Sequence, residues 1–214
     1  MNKYKIVSIV LAFALFVAIA RLVRASQTEE PTPEEPVQTP VEIVLQNIHS
    51  RKSVRNFTEQ AVSREQLDTL VRAAMAAPSG RDMRPWKFIV VDNREVMDRL
   101  AEELPYAKML KTAQAAVVVC GDMSVVDKKG NPSGNWTFDC SAATENLLLA
   151  AEAMGLGAVW TGVHPYEDRL AAVTKAFNLP ENIIPLNVIP IGYPKGEPTP
   201  KDKFDEGNIH YNAW

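Results

Sequence analysis

Arg51-Lys52-Ser53-Val54-Arg55 gathers two guanidinium groups, an ammonium and a hydroxyl into five residues. Such a run is a compact anion receptor, because the planar fork of arginine and a serine O–H suit a phosphate monoester better than a diffuse acidic surface. The same run also suits a solvated basic segment, and its spacing alone does not choose between the two. Ala77-Pro78-Ser79-Gly80 follows within thirty residues, and Pro and Gly around a hydroxyl let backbone approach a flat ring closely. Lys201 and Lys203 add two cations from the far end of the chain.

Other chemistries find less support. No Gly-x-Gly-x-x-Gly follows a strand-like run, and no Walker-type Gly-Lys-Ser/Thr is present, which disfavours Rossmann and P-loop enzymes. Cys120 and Cys140 lie inside apolar runs rather than at metal-type spacing, and His49, His164 and His210 are far apart, so no metal site is expected. No Ser/His/Asp or Cys/His arrangement calls for hydrolysis. A net charge of -3 argues against nucleic acid as the main partner.

The elements that must hold these residues can be read from periodicity. At 214 residues and 46% hydrophobic, the chain can bury one core and one large domain. Val41 to Ile48 has helical apolar spacing and ends at the basic run. Ser63 with Gln66 is a capping-box signature, Leu67, Leu70, Val71, Ala74 and Met75 form one stripe, and Pro78 stops that helix. Strands are expected at Phe88–Val91, Ala115–Cys120, Ala158–Trp160 and Leu186–Ile191. Helices are expected at Arg94–Leu104, Phe138–Met154 and Tyr166–Phe177. The Phe138–Met154 helix is apolar around most of its circumference, which points to a central position. Asp139 at its start reads as a cap or dipole partner.

Residues 1–25 and 26–40 are separate objects. Lys3 and Lys5 precede an apolar run from Ile6 to Ala20, followed by Arg21 and Arg24. Fifteen residues, apolar except for Ser8, make a helix of about 22 Å, short of the ~30 Å hydrocarbon core, and that length fits a secretory signal. Val23-Arg24-Ala25 could be a cleavage site before Ser26; an uncleaved signal anchor is the alternative. Export to the cell envelope, as a soluble or a membrane-anchored protein, is the expectation. Residues 26–40, rich in Glu and Pro, read as a disordered tether, and the folded domain as 41–214.

Arg51-Lys52-Ser53-Val54-Arg55, Ala77-Pro78-Ser79-Gly80 with Pro85-Trp86-Lys87-Phe88, Asn146 to Ala151 leading to Gly155-Leu156-Gly157, Ile191-Gly192-Tyr193-Pro194 and Pro200-Lys201-Asp202-Lys203 occur in one order. The domain from Val41 to Trp214 resembles the nitroreductase family of FMN-dependent oxidoreductases in its compact form. The resemblance implies an α+β fold, a central mixed sheet flanked by helices, and an intertwined homodimer with exchanged C-terminal tails. It implies FMN as cofactor, with Arg51, Lys52 and Ser53 at the phosphate and ribityl chain and Arg55 at the N1–C2=O edge of the flavin. Pro78, Ser79 and Gly80 would reach it from the second subunit. Gly162 would present its N–H near O4 and N5, Lys108 would stand near a pyrimidine oxygen, and Lys201 with Lys203 would close on the phosphate.

A fixed cation such as Arg55 favours a reduced flavin, whose negative charge spreads over N1 and O2. The implied activity is ping-pong hydride transfer from NADH or NADPH, through flavin N5, to a nitroaromatic or quinone. Reductive dehalogenation is an alternative, although the loop from Gly121 to Asn135 is short for a substrate lid. A flavin-binding redox-sensing module with little turnover, or an envelope interaction protein, are others. The chain departs from the family pattern at Asp82 and Arg84, where many relatives carry Asn and Gln. Lys203 stands where Arg is usual, and Thr161 precedes Gly162 where nitroaromatic reducers carry an acid. An Asp82–Arg84 ion pair is the simplest reading of the first departure.

Overall fold

The computed structural model describes residues 2–25 and 38–214. Contacts divide the chain into two units, Met1–Pro40 and Val41–Trp214. In the first, α1 (Lys3–Ala25) carries the apolar run. Among the described residues, no helix is long and apolar enough to cross a membrane. The anchor or export role expected for residues 1–25 therefore gains no support from the structure. The tether falls almost wholly outside the described residues, and helix begins again at Pro40.

The second unit is built on a five-stranded sheet. Its strands are β1 (Trp86–Val91), β2 (Ala115–Asp122), β3 (Gly157–Ala158), β4 (Thr161–Gly162) and β5 (Ile183–Gly192). β2 and β5 lie at the centre with β1 outside β2, while β3 and β4 both pair with β5. The sheet expected as mixed is antiparallel in every ladder between these strands. Its parallel contact is an isolated bridge from Ser53 to Ala158. The strand expected at Ala158–Trp160 is interrupted. Ala158 opposes Ile191 and Thr161 opposes Val188, three residues along each chain, so the register survives the break at Val159 and Trp160.

All eight residues of β2 are buried, as a continuous apolar run covered on both faces requires. Val117 and Val119 join one core with α3 (Arg64–Met75) and α5 (Trp136–Ala153). Ala116, Val118 and Cys120 join the other with α4 (Arg94–Glu103) and α6 (Glu167–Phe177). Alternate side chains of one strand thus serve two helical layers. α3 starts as its sequence predicts: Gln66 N–H donates to Ser63 Oγ at 3.2 Å, and Ser63 N–H donates to Gln66 Oε1 at 3.0 Å. It ends at Met75, ahead of Pro78.

α5 is not enclosed on all sides. Cys140, Ala143, Leu147 and Ala151 are buried, whereas Phe138 is largely exposed and Leu149 lines an open groove with Ile43, Val44 and Ile48 of α2 (Pro40–Ser50). The second apolar face is uncovered in the single chain.

Candidate functional site

α2 ends on the basic run, and the run then takes an extended course along β3. Val54 N–H donates to Ala158 O at 3.0 Å, and Ser53 bridges the same residue. Val54 and Phe57 are buried while Ser53 and Arg55 face outward. Space for the two buried side chains comes from glycine: a Cβ on Gly157 would lie 2.6 Å from Val54, and one on Gly192 2.9 Å from Phe57.

The cations of the run go to different places. Lys52 Nζ contacts Glu152 Oε1 at 2.7 Å and Ser50 O at 3.3 Å. Arg51 Nε lies 2.8 Å from Glu145 Oε1. Among the described residues, Arg55 is paired with no carboxylate. Lys52, expected at the phosphate, is thus held against α5 by its own ion pair.

Arg51, Lys201 and Lys203 line one open cleft of about 700 Å³, with His49, Asp202 and Phe204 beside them. Three cations from segments 150 residues apart in sequence thus line the same cleft, an arrangement that favours an anion. Asp202 Oδ1 accepts the N–H of Phe204 at 3.0 Å, so that carboxylate is engaged with its own backbone.

The other expected site residues stand apart from this cleft in the single chain. Gly80 N–H donates to Asp139 Oδ1 at 2.8 Å, and Ser79 Oγ accepts from Arg84 N–H at 3.1 Å. Pro78–Gly80 is thereby fixed at the start of α5. Asp139, read as a cap or dipole partner, is buried in the first turn and also faces Ser133 Oγ at 3.4 Å. Asp82 and Arg84 form a two-point ion pair, 2.6 and 2.5 Å. The Arg84 hydrogen bond holds the Asp82 carboxyl below its usual range. Arg81, Asp82 and Arg84 all have positive φ, 56°, 55° and 49°, a conformation costing an L-residue on the order of 1 kcal/mol or more.

Lys108 Nζ donates to Ala101 O at 3.1 Å, at the end of α4. Gly162 lies in β4, where an added Cβ would meet Trp160 Nε1 at 3.8 Å, an ordinary van der Waals contact. Its carbonyl accepts from Arg169 Nη1 at 3.0 Å. Cys120 and Cys140 are buried thiols pushed up to about 12 by burial, so neither offers a thiolate near neutral pH.

Sequence reasoning passed over Glu145 and Glu152. They stand seven residues apart on α5, two turns and hence one face, and each takes one cation of the basic run. The spacing was a usable signal, but only the fold says which cations meet that face.

Residues 48–105 and 101–193 match the family model described as Nitroreductase family. The chain belongs to the nitroreductase family. A provisionally named NADH dehydrogenase/NAD(P)H nitroreductase of Methanothermobacter thermautotrophicus is 46% identical over 80% of this chain and 87% of its own. A crystal structure of a protein with the same provisional name, from Parabacteroides distasonis, shares 53% identity, covers 80% of this chain and 99% of that one, and superposes with a TM-score of 0.76. A Desulfovibrio desulfuricans nitroreductase family structure in complex with FMN shares 25% identity over 83% of this chain and 99% of that one, TM-score 0.68. The α+β sandwich built up above is the nitroreductase-like fold. The site fits the terminal phosphate of FMN on its own chemistry, through three converging cations and an outward Ser53 on the adjoining extended segment.

Proposed function

We propose that this nitroreductase family member is an FMN-dependent oxidoreductase that draws on NADH or NADPH and reduces a small electron-poor acceptor of the nitroaromatic or quinone class. The convergence of Arg51, Lys201 and Lys203 on one cleft carries the reading, and the FMN reductases and NADPH-flavin oxidoreductases among its relatives support it. Arg51, Lys201 and Lys203 hold the phosphate, with Ser53 donating beside them. When bound, FMN supplies the two-electron chemistry that links the nicotinamide to the acceptor. Arg55 contributes a fixed positive charge that favours added negative charge nearby. Gly162 leaves a surface without side-chain bulk for a flat ring, and Pro78, Ser79 and Gly80 reach the same ring from a second copy. Lys108 is placed near a pyrimidine oxygen by resemblance alone.

A homodimer completes this site. α2 buries none of its residues in the single chain, and Phe204, Tyr211 and Trp214 of the C-terminal tail stand exposed; apolar surface of this extent marks an interaction face. Residues 1–25 direct the protein to the cell envelope, on the strength of Lys3, Lys5 and the apolar run that follows; cell fractionation tests that assignment.

The decisive experiment is an anaerobic titration of the yellow purified protein with NADH or NADPH. Bleaching within seconds, and return of colour on adding a nitro compound, is the expected result. A coloured protein that neither nucleotide bleaches would instead identify a flavin-binding module with little turnover. A colourless protein that takes up no FMN would overturn both.

A further inference from the structure

Glu145 poses a question of sign. Its carboxylate lies 2.8 Å from Arg51 Nε, with the arginine side chain 21% and the glutamate 47% exposed. It therefore sits a single residue's length from the cleft assigned to a phosphate. Acting only as a negative charge, it would repel that phosphate, and its removal would tighten binding. Acting as an anchor for Arg51, it would strengthen binding despite its charge.

The geometry points to the anchor. Contact is made at Nε, at the stem of the guanidinium, and the terminal nitrogens of the fork remain for another partner. Among the described residues no other carboxylate is paired with Arg51. The anchor itself is firmly seated: the next residue, Asn146, donates Nδ2 to Ala73 O at 3.2 Å, tying α5 to α3. Two turns later Glu152 holds Lys52 at 2.7 Å. Adjacent residues of the basic run are thus clipped to two points on one helix face, which restricts how Arg51 can turn. A long, flexible side chain held in this way loses less rotamer freedom on binding an anion.

We propose that Glu145 is a positioning residue for the phosphate site, acting through Arg51 and offsetting its own like charge; this rests on the FMN reading above. The test is titration of the cofactor-stripped full-length protein with FMN and with riboflavin, which lacks the phosphate, followed by quenching of flavin fluorescence. Glu145→Gln is expected to weaken FMN by about three- to tenfold, as loss of a partly exposed contact to a charged group implies, and to leave riboflavin within about twofold. In an Arg51→Ala background the same change should produce no further weakening, since the contact it removes is already gone. Tighter or unchanged FMN binding in Glu145→Gln overturns the proposal, as does equal weakening of both flavins. A wild-type protein that binds neither flavin overturns the underlying reading and this inference together, an outcome separate from the others.

Discussion

Val54 occupies the space that Gly157 leaves. A Cβ on Gly157 would lie 2.6 Å from both Cβ and Cγ1 of Val54, and Val54 N–H bonds the carbonyl of Ala158 next door. This contact seats the basic run against β3, so packing in the core sets where Arg51 and Ser53 stand. Gly157→Ala must push the run outward. It is expected to destabilise the protein by about 1–3 kcal/mol, the usual cost of overpacking, and to weaken FMN retention with it. Gly134→Ala, where nothing lies within 4 Å, should shift the urea midpoint by under about 0.5 kcal/mol equivalent. Similar losses in both variants would show that Val54 yields freely.

The ion pair of Lys52 with Glu152 predicts a stability phenotype rather than a cofactor phenotype. Both side chains are mostly buried, 19% and 14% exposed. Lys52→Met leaves the carboxylate unpaired and should cost about 1–3 kcal/mol, somewhat less than breaking a fully buried pair. Adding Glu152→Met should recover most of that loss. Throughout, FMN affinity should fall less than in Lys201→Ala. A Lys52→Met protein of unchanged stability that loses FMN would return Lys52 to the phosphate.

The proposed function assigns Arg51 to binding and Arg55 to reduction, a division that two substitutions test. Arg51 is in the cleft with Lys201 and Lys203; Arg55 faces outward on the extended segment with no carboxylate paired to it among the described residues. Arg51→Ala is expected to weaken FMN about tenfold or more, on the scale of a charge-assisted contact, while a saturated sample still bleaches with NAD(P)H. Arg55→Ala should keep most of the cofactor and slow bleaching by a similar factor. Equal losses of both properties in both variants would refute the division.

The local parts of this arrangement were legible in the sequence. Ser63 and Gln66 announce their own capping box because both partners lie within one turn. Lys201 and Lys203 could be matched to Arg51 from charge and family pattern, and they share its cleft. Glu145 and Glu152 could not be assigned. Their partners lie 94 and 100 residues away, and no periodicity says which face of α5 meets the basic run. The break between β3 and β4 was hidden for a related reason, since Ala158 to Trp160 reads as one apolar strand while its pairing is decided by β5. Apolar residues around most of α5 pointed to a central helix, yet one chain covers only one side of it.

Asp122 ties one end of the sheet together and should leave a mark on acid stability. Its carboxylate accepts from Ser124 Oγ at 2.6 Å, Asn182 Nδ2 at 2.8 Å and Ser124 N–H at 2.9 Å, with Lys87 Nζ at 3.4 Å. These contacts, the Ser124 hydroxyl foremost, lower its pKa to about 2, against about 3.9 in an unfolded chain. The folded state therefore binds this proton more weakly than the unfolded one. Its contribution is complete above about pH 4 and disappears as pH falls towards about 2. Asp122→Asn should be less stable at pH 7 by about 1–3 kcal/mol and show a flatter decline between pH 4 and 2. Parallel acid limbs for the two proteins, in urea unfolding at each pH, would rule this contribution out.

Truncation of the C-terminal tail should separate the proposed dimer from the proposed phosphate site. Lys201 and Lys203 line the cleft of their own chain, whereas Tyr211 and Trp214, 83% and fully exposed, contact no core of it. Trp214 stacks instead on His210, with centroids 4.2 Å apart. Aromatic side chains left in water over this length have burial still to gain, at about 25 cal/mol per Å², and the uncovered face of α5 and α2 offers matching apolar surface. Deleting residues 205–214 keeps both lysines and removes the aromatic tip. The expected outcome is a protein that runs as a monomer in light scattering, with FMN weakened because Pro78–Gly80 of a second copy no longer reaches it. Monomers that hold FMN as tightly as the full chain would place the whole site within one subunit. A truncated protein that remains a dimer would assign the association to α2 and α5 alone.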